Sequence, residues 1–97
     1  MKIIAVTACP TGIAHTYMAA EQLEKTARKL GHSIKVETQG AMGIENELSE
    51  EDIAGAEVVI FAADIAVERE ERFGRLRKVK ASVQEAVKQP EAIFARL

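Results

Sequence analysis

The 97-residue chain has a single cysteine and no long apolar run. One cysteine cannot form an internal disulfide, so Cys9 is either a small buried side chain or a reactive thiol. No stretch approaches the ~20 apolar residues that a membrane-spanning helix needs, so we expect no direct membrane insertion. The chain opens on a strand-like segment and not on a signal peptide, which indicates a cytoplasmic protein.

An excess of one charge is also missing. Charged residues make up 29% of the chain, yet they balance to a formal net charge of -2, which gives no reason to expect a nucleic acid partner. Apolar residues make up 47%, enough for one core, and the chain is too short for a second independent module. We therefore predict one domain over residues 1–97.

Two nearly uninterrupted apolar runs, residues 2–8 and 57–63, predict buried strands of a parallel sheet. Between them, apolar residues recur every three or four positions over residues 13–30, which predicts an amphipathic helix that ends before Gly31. Residues 33–38 alternate between apolar and polar. This alternation predicts a strand at a sheet edge with one exposed face.

The other segments have weaker patterns. Residues 39–47 contain two glycines and no stable period, which we interpret as a functional loop. A short helix with a serine cap is predicted over residues 49–55, and a polar fourth strand over residues 76–79. Residues 82–97 predict a terminal helix that is interrupted at Pro90.

Together these elements predict a three-layer α/β/α sandwich around a four-stranded, mainly parallel sheet. With the two apolar strands in the middle, the strand order is 2-1-3-4. Ligands of such sheets bind outside the carboxyl ends of the strands, where neighbouring connections leave toward opposite faces. We expect Cys9, Asp64 and the loop after the second strand to meet at the carboxyl ends of the strands.

Cys9 stands where the first strand gives way to the first helix. The first N–H groups of a helix lack intrahelical partners, and with the positive end of the dipole they favour an anion or a thiolate. A glycine in such a loop lets successive N–H groups converge on an anion. The candidate anion-binding residues are Thr11, Gly12, Ile13, Ala14, His15 and Thr16. Two simpler interpretations stay open, in which Cys9 only packs in the core and His15 is only a surface residue.

Residues 9–21, C-P-T-G-I-A-H-T-Y-M-A-A-E, resemble the active-site signature of the fructose-type IIB components of the bacterial phosphoenolpyruvate-dependent sugar phosphotransferase system. Residues 35–40 and 43–46 resemble the second strand of that family and the loop after it. Residues 62–65 and 71–73 resemble its third-strand region. The resemblance spans nearly the whole chain and is most specific in its first half.

The resemblance implies that Cys9 accepts a phosphoryl group from a phosphohistidine of a IIA partner and passes it to a fructose-like sugar. It implies a protein-phosphohistidine–sugar phosphotransferase that acts as a monomer and meets the inner face of the membrane through the IIC transporter. In such a transfer, positioning and charge stabilisation do the work, and no cofactor is expected. We also expect no metal, because His15 and His32 are far apart and no carboxylate stands at a zinc-like spacing.

Met42, Gly43 and Ile44 place apolar side chains in the loop beside the proposed site. Exposed apolar residues near a reactive centre are typical of a docking surface. We therefore predict that these three residues contact the IIA and IIC partners.

Two other functions stay open. A cysteine-dependent phosphatase uses a similar anion loop, but it places an arginine where this chain has His15. Its acidic residue often precedes a proline, which neither Asp52 nor Asp64 does. A noncatalytic domain that is phosphorylated on Cys9 as a signal fits the same residues. A thioredoxin-like role lacks the second cysteine that it requires.

Overall fold

Within the described part of the chain, five strands form one sheet in the order β3-β2-β1-β4-β5. The computed structural model describes residues 1–10 and 13–97, apart from the side chain of Ile13. The strands are β1 (Lys2–Ala8), β2 (Ser33–Gly40), β3 (Gly43–Glu45), β4 (Val58–Ala63) and β5 (Arg77–Ala81). β3 pairs antiparallel with β2, and the other neighbouring pairs are parallel.

The α-helices follow the predicted positions, and a short 3₁₀ helix was not predicted. They are α1 (Ile13–Lys29), α2 (Glu50–Gly55), a 3₁₀ helix (Glu70–Phe73), α3 (Val83–Lys88) and α4 (Pro90–Phe94). After α1, Gly31 has a φ of 80°, the left-handed conformation that closes a helix most readily when the residue is glycine. Ser49 caps α2 in a capping box with Asp52. Hydrogen bonds from Lys35 and then from Ser49 lower the pKa of Asp52 to about 2.

Side chains of β1 and β4 alternate between two faces, and each face has its own core. On one face, Ile3 lies in the same cluster as Leu23 of α1 and Ile93 of α4. On the other face, Ile4 lies in a cluster with Phe73 of the 3₁₀ helix, and α2 packs at its border. The predicted three-layer arrangement is therefore confirmed.

The predicted order 2-1-3-4 is confirmed for the parallel strands β2-β1-β4-β5. The strand count is wrong, because residues 39–47 are not an irregular loop. β2 continues to Gly40, and the two-residue turn Ala41–Met42 leads into β3, where Gly43 has a φ of 88°. Three residues are too few for strand alternation to show in a sequence. β3 thus occupies the sheet edge that had been predicted for β2.

The predicted exposed face of β2 is also wrong for its second half. Glu37, Thr38 and Gln39 are 0%, 3% and 5% exposed. Residues 67–73 cover this part of β2, and Glu37 and Gln39 bond to that segment. Polar side chains in a strand predict an exposed face only when no distant segment of the chain forms hydrogen bonds with them.

Candidate functional site

The carboxyl ends of β2, β1 and β4 bring Cys9 to the middle of one edge of the sheet. The N–H of Cys9 donates to the carbonyl of Gln39 at 3.2 Å, and the N–H of Asp64 donates to the carbonyl of Ala8 at 2.9 Å. The predicted meeting of Cys9, Asp64 and the segment after β2 is therefore confirmed. We call this the Cys9 edge.

Cys9 is only 4% exposed and packs in the core beneath α1. It lines two depressions of the surface. The smaller, of about 130 Å³, lies between the β2–β3 hairpin and residues Ile65 and Glu68. The larger, of about 550 Å³, lies beside α1 and α3 and includes Asp64 and Lys88. Cys9 thus lies at the bottom of both depressions, so a partner can approach it from two sides.

α1 starts at Ile13, so its positive end lies four residues after Cys9. The N–H groups of its first turn precede any intrahelical acceptor and point out of the helix start. Thr11 and Gly12 lie outside the described residues, as does the side chain of Ile13. The anion-binding arrangement of residues 11–14 therefore stays a prediction.

The three other predicted anion ligands, Ala14, His15 and Thr16, differ in their exposure. Ala14 and His15 are exposed, and His15 lines the larger depression with Cys9. Thr16 is 1% exposed, and its carbonyl accepts a hydrogen bond of 3.1 Å from the hydroxyl of Thr7. A Cβ on Gly40 would lie 3.3 Å from Oγ1 of Thr16, so only glycine fits here without displacement. Thr16 thus locks α1 against β1 and β2.

The predicted docking residues lie at the tip of the β2–β3 hairpin. Met42 is 66% exposed, Gly43 is exposed, and Ile44 is half-buried beside Gln39. The hairpin backbone, including Gly43, borders the smaller depression. Of the three residues, Gly43 lines a depression with Cys9, and Met42 has the most exposed side chain. Their contact with a partner stays a prediction.

Sequence reasoning missed three further apolar side chains of this edge. Tyr17 and Met18 of α1 and Ile65 after β4 are 39%, 47% and 44% exposed. Met18 and Ile65 each line a depression with Cys9. The hydroxyl of Tyr17 donates to Glu45, which ties α1 to β3 and raises the pKa of Tyr17. Together with Met42, these three side chains form what we call the apolar rim.

A buried ion pair beneath the edge was also missed. Glu37 accepts two hydrogen bonds of 2.9 Å from Arg72 and one of 2.9 Å from the N–H of Leu48. The guanidinium of Arg72 lies 4.7 Å from the ring centre of Phe73. Burial of Glu37 works to raise its pKa, but the bonds from Arg72, Leu48 and Gln39 outweigh it and leave the pKa lowered. The carboxyl of Glu37 is therefore held in its charged form inside the fold at neutral pH.

Other parts of the described structure have fewer features of a binding or catalytic site. A groove of about 720 Å³ runs between α2 and the side chains of Arg69 and Arg72, but these arginines pair with Glu47 and Glu37. Among the described residues, no group of three or more His, Cys, Asp or Glu side chains is placed to hold a metal ion. None of the described helices is both long and apolar enough to cross a membrane.

Comparisons with known proteins agree over nearly the whole chain. Residues 4–96 match the family described as PTS system, lactose/cellobiose-specific IIB subunit. The chain is 53% identical over 96 residues to the PTS system fructose-like EIIB component 2 of Escherichia coli strain K12, with 99% of this chain and 91% of that protein covered. It is 48% identical over 99 residues to the fructose-like PTS system EIIBC component of the same strain, with 100% of this chain and 20% of that protein covered.

A solved structure gives the same result. A domain of the fructose-specific IIABC component of Borrelia burgdorferi superposes with a TM-score of 0.92 at 51% identity, with 97% of this chain and 89% of that domain covered. The family description names lactose and cellobiose, whereas these relatives are named for fructose.

Proposed function

Because the chain belongs to the family of IIB subunits of the sugar phosphotransferase system, PTS, we propose that Cys9 is its phosphoryl carrier. In this proposal Cys9 takes the group from a phosphohistidine of a IIA partner and hands it to a sugar. The main support for the proposal is the position of Cys9, at the carboxyl end of β1, just before the start of α1 and between two depressions.

The first transfer forms a bond between the Cys9 sulfur and phosphorus and breaks the phosphorus–nitrogen bond of the donor. The imidazole nitrogen keeps the electron pair and takes up a proton, which balances the proton that the Cys9 thiol gives up. In the second transfer a sugar hydroxyl oxygen attacks phosphorus, the sulfur leaves as thiolate, and the hydroxyl proton is released. Both steps depend on in-line placement and on donors to the equatorial oxygens. The first-turn amides of α1 and residues 11–12 are the proposed donors, with His15 beside them in the larger depression.

Both partners must reach the same nearly buried sulfur. We propose that IIA and the IIC transporter dock in turn on the apolar rim and the β2–β3 hairpin, because the exposed side chains of Met18 and Ile65 line the depressions that contain Cys9 and the hairpin borders one of them. The EIIBC relative carries B and C in one name. In the proposal the chain therefore works as a monomer in the cytoplasm and meets the membrane only through IIC.

The proposed sugar is fructose-like. The support is the names of relatives that share about half of their residues with this chain. Sugar choice resides in the transporter in this proposal, so the IIB chain contributes the phosphoryl group and not the sugar site.

Mapping the phosphoryl group tests the proposal. The chain incubated with phosphoenolpyruvate, the general phosphotransfer proteins and a fructose-type IIA should gain one phosphoryl group on Cys9, located by peptide mass spectrometry. An incubation without IIA is the control and should give none. A phosphoryl group on His15, or no modification, would contradict the proposal. Steady release of phosphate from a small phosphate ester would favour a phosphatase.

The hairpin prediction concerns Met42. Met42→Ser removes an exposed apolar side chain from the proposed interface, and we expect the KM for phosphorylated IIA to rise at least about tenfold, since burying a methionine contributes roughly 1.5–3 kcal/mol. The free energy of unfolding should change by less than about 0.5 kcal/mol, as for other surface substitutions. Transfer kinetics and urea unfolding measure the two effects.

Leu30→Ser is the matched control, because Leu30 is 49% exposed but follows the far end of α1. Its KM should stay at the wild-type value. Ile44→Ser should also slow the transfer, but Ile44 is half-buried, so this variant should lose stability as well. An unchanged KM in Met42→Ser would remove the hairpin from the docking surface.

A further inference from the structure

We infer that Gln39 is a positioning residue for phosphoryl transfer, whose side-chain amide holds the backbone of Glu68 in place beside Cys9. The inference rests on the proposed function of Cys9. Gln39 is the residue whose backbone carbonyl accepts the N–H of Cys9, and the residue as a whole is 5% exposed. It therefore contacts Cys9 through its main chain and the opposite side of the depression through its side chain.

The side chain of Gln39 grips Glu68 at two points. Its Oε1 accepts the N–H of Glu68 at 2.8 Å, and its Nε2 lies 3.3 Å from the carbonyl of the same residue. This is the pattern that a neighbouring strand would make with its backbone. Glu68 and Ile65 form one side of the smaller depression, with Cys9 in its floor. The amide of Gln39 thus sets the distance between Cys9 and this side.

The buried ion pair fixes which way the amide of Gln39 points. Nε2 of Gln39 donates to Glu37 at 2.7 Å, and a carboxylate only accepts hydrogen bonds. Oε1 is therefore turned toward the N–H of Glu68. Arg72, which holds Glu37, also donates to the carbonyls of Arg69 at 2.9 Å and Glu68 at 3.3 Å. Glu37, Gln39 and Arg72 together clamp the segment after β4 onto β2.

Placement of this segment matters for transfer because small displacements of the groups around a reacting centre cost rate. A shift of about 1 Å can slow a reaction by up to roughly a hundredfold. The smaller depression holds only about 130 Å³, so a shift of Glu68 and Ile65 changes a large part of it. We therefore expect Gln39 to act on the rate of transfer more than on the binding of the partner.

The test compares Gln39→Met, which keeps the length of the side chain and removes its hydrogen bonds, with Gln22→Met on α1 as the control. In Gln39→Met the amide proton of Glu68 should exchange with solvent at least about tenfold faster. The kcat for transfer from phosphorylated IIA should fall about tenfold, and the KM should change less than about threefold. Gln22→Met should match the wild type in all three measurements.

A carboxylate exchange separates positioning from general damage. Gln39→Glu places two carboxylates where the structure has a bond of 2.7 Å, so its kcat should fall below that of Gln39→Met. Glu37→Gln together with Gln39→Glu leaves one amide and one carboxylate in the pair and removes the repulsion, so its kcat should rise above that of Gln39→Glu. A general loss of packing would not be repaired by a second substitution.

The outcomes separate this inference from the proposed function. The wild-type chain, incubated with phosphorylated IIA, tests whether Cys9 is phosphorylated. If it is, an unchanged kcat in Gln39→Met, or a Glu68 amide that stays protected, overturns the role of Gln39. If wild-type Cys9 accepts no phosphoryl group, the proposed function fails and the role in transfer fails with it, whereas the exchange of Glu68 still reports whether the clamp exists.

Discussion

Cys9→Ser should slow phosphoryl transfer from IIA at least about a thousandfold, because a serine hydroxyl is un-ionised where a thiol supplies a thiolate nucleophile. No second cysteine is present to take its place. The initial rate at which the chain accepts the phosphoryl group from phosphorylated IIA measures the loss. It is the largest functional effect that we expect from any single substitution in this chain.

A second variant keeps this test independent of folding. Cys9 is 4% exposed, so a hydroxyl in its place costs up to roughly 1–3 kcal/mol if it finds no partner. Cys9→Ala adds no polar group, so its loss of stability in urea is limited to the packing of the missing sulfur. Both variants should lose transfer, and urea unfolding should show that both still fold. Transfer by Cys9→Ala at more than a small fraction of the wild-type rate would assign the phosphoryl group to another residue.

Arg72→Met should destabilise the fold by roughly 3–5 kcal/mol at neutral pH, because it leaves the carboxylate of Glu37 buried without its counter-ion. The side chain of Glu37 is 0% exposed and that of Arg72 is 15% exposed, so water can replace little of the lost interaction. A small domain has only about 5–15 kcal/mol of stability in total. Urea unfolding should therefore show the variant near the limit of folding.

The effect of Arg72→Met on stability depends on pH. In the wild type the pKa of Glu37 is lowered, so its contribution to stability is complete above the unfolded-state pKa of about 4.3 and is lost as the pH falls through the lower folded value. Without Arg72, burial dominates and raises that pKa. The carboxyl of the variant then protonates readily, and the stability of the variant falls as the pH rises through the raised value.

The stability deficit of Arg72→Met should consequently shrink between pH 7 and about pH 4.5. The matched control is Arg72→Met combined with Glu37→Gln, which has no buried carboxyl to titrate. Its deficit relative to the wild type should be nearly constant over that range. An equal deficit of the single variant at both ends of the range would show that the ion pair is not what Arg72 contributes.

Several elements of the fold could be predicted because their patterns are local. β1 and β4 are buried on both faces, which demands uninterrupted apolar residues, and α1 shows its buried stripe every three or four positions. Gly31 and Ser49 mark helix boundaries through their own backbone and side-chain preferences. These elements were sufficient to order the parallel strands and to place Cys9 at the edge.

The site was predictable in part for the same reason. Cys9 stands at a strand end before a helix, and the switch in the direction of the connections follows from the strand order. The apolar rim was predicted only at Met42, since Tyr17 and Met18 read as ordinary positions of an amphipathic helix. Their exposure depends on which distant segments pack against α1, and no local pattern contains that information.

By itself, then, the sequence determined the buried strands, the long helix, the parallel strand order and the position of the one cysteine at the sheet edge. The tertiary structure alone decided that β3 pairs with β2 and becomes the edge strand, that Glu37 is a buried partner of Arg72, and that Gln39 reaches Glu68 across the depression beside Cys9. The physical reason is the separation along the sequence. The periodicity of buried residues in a strand or helix is visible among residues a few positions apart. Glu37 and Arg72 are 35 positions apart and form their ion pair only when the chain has folded.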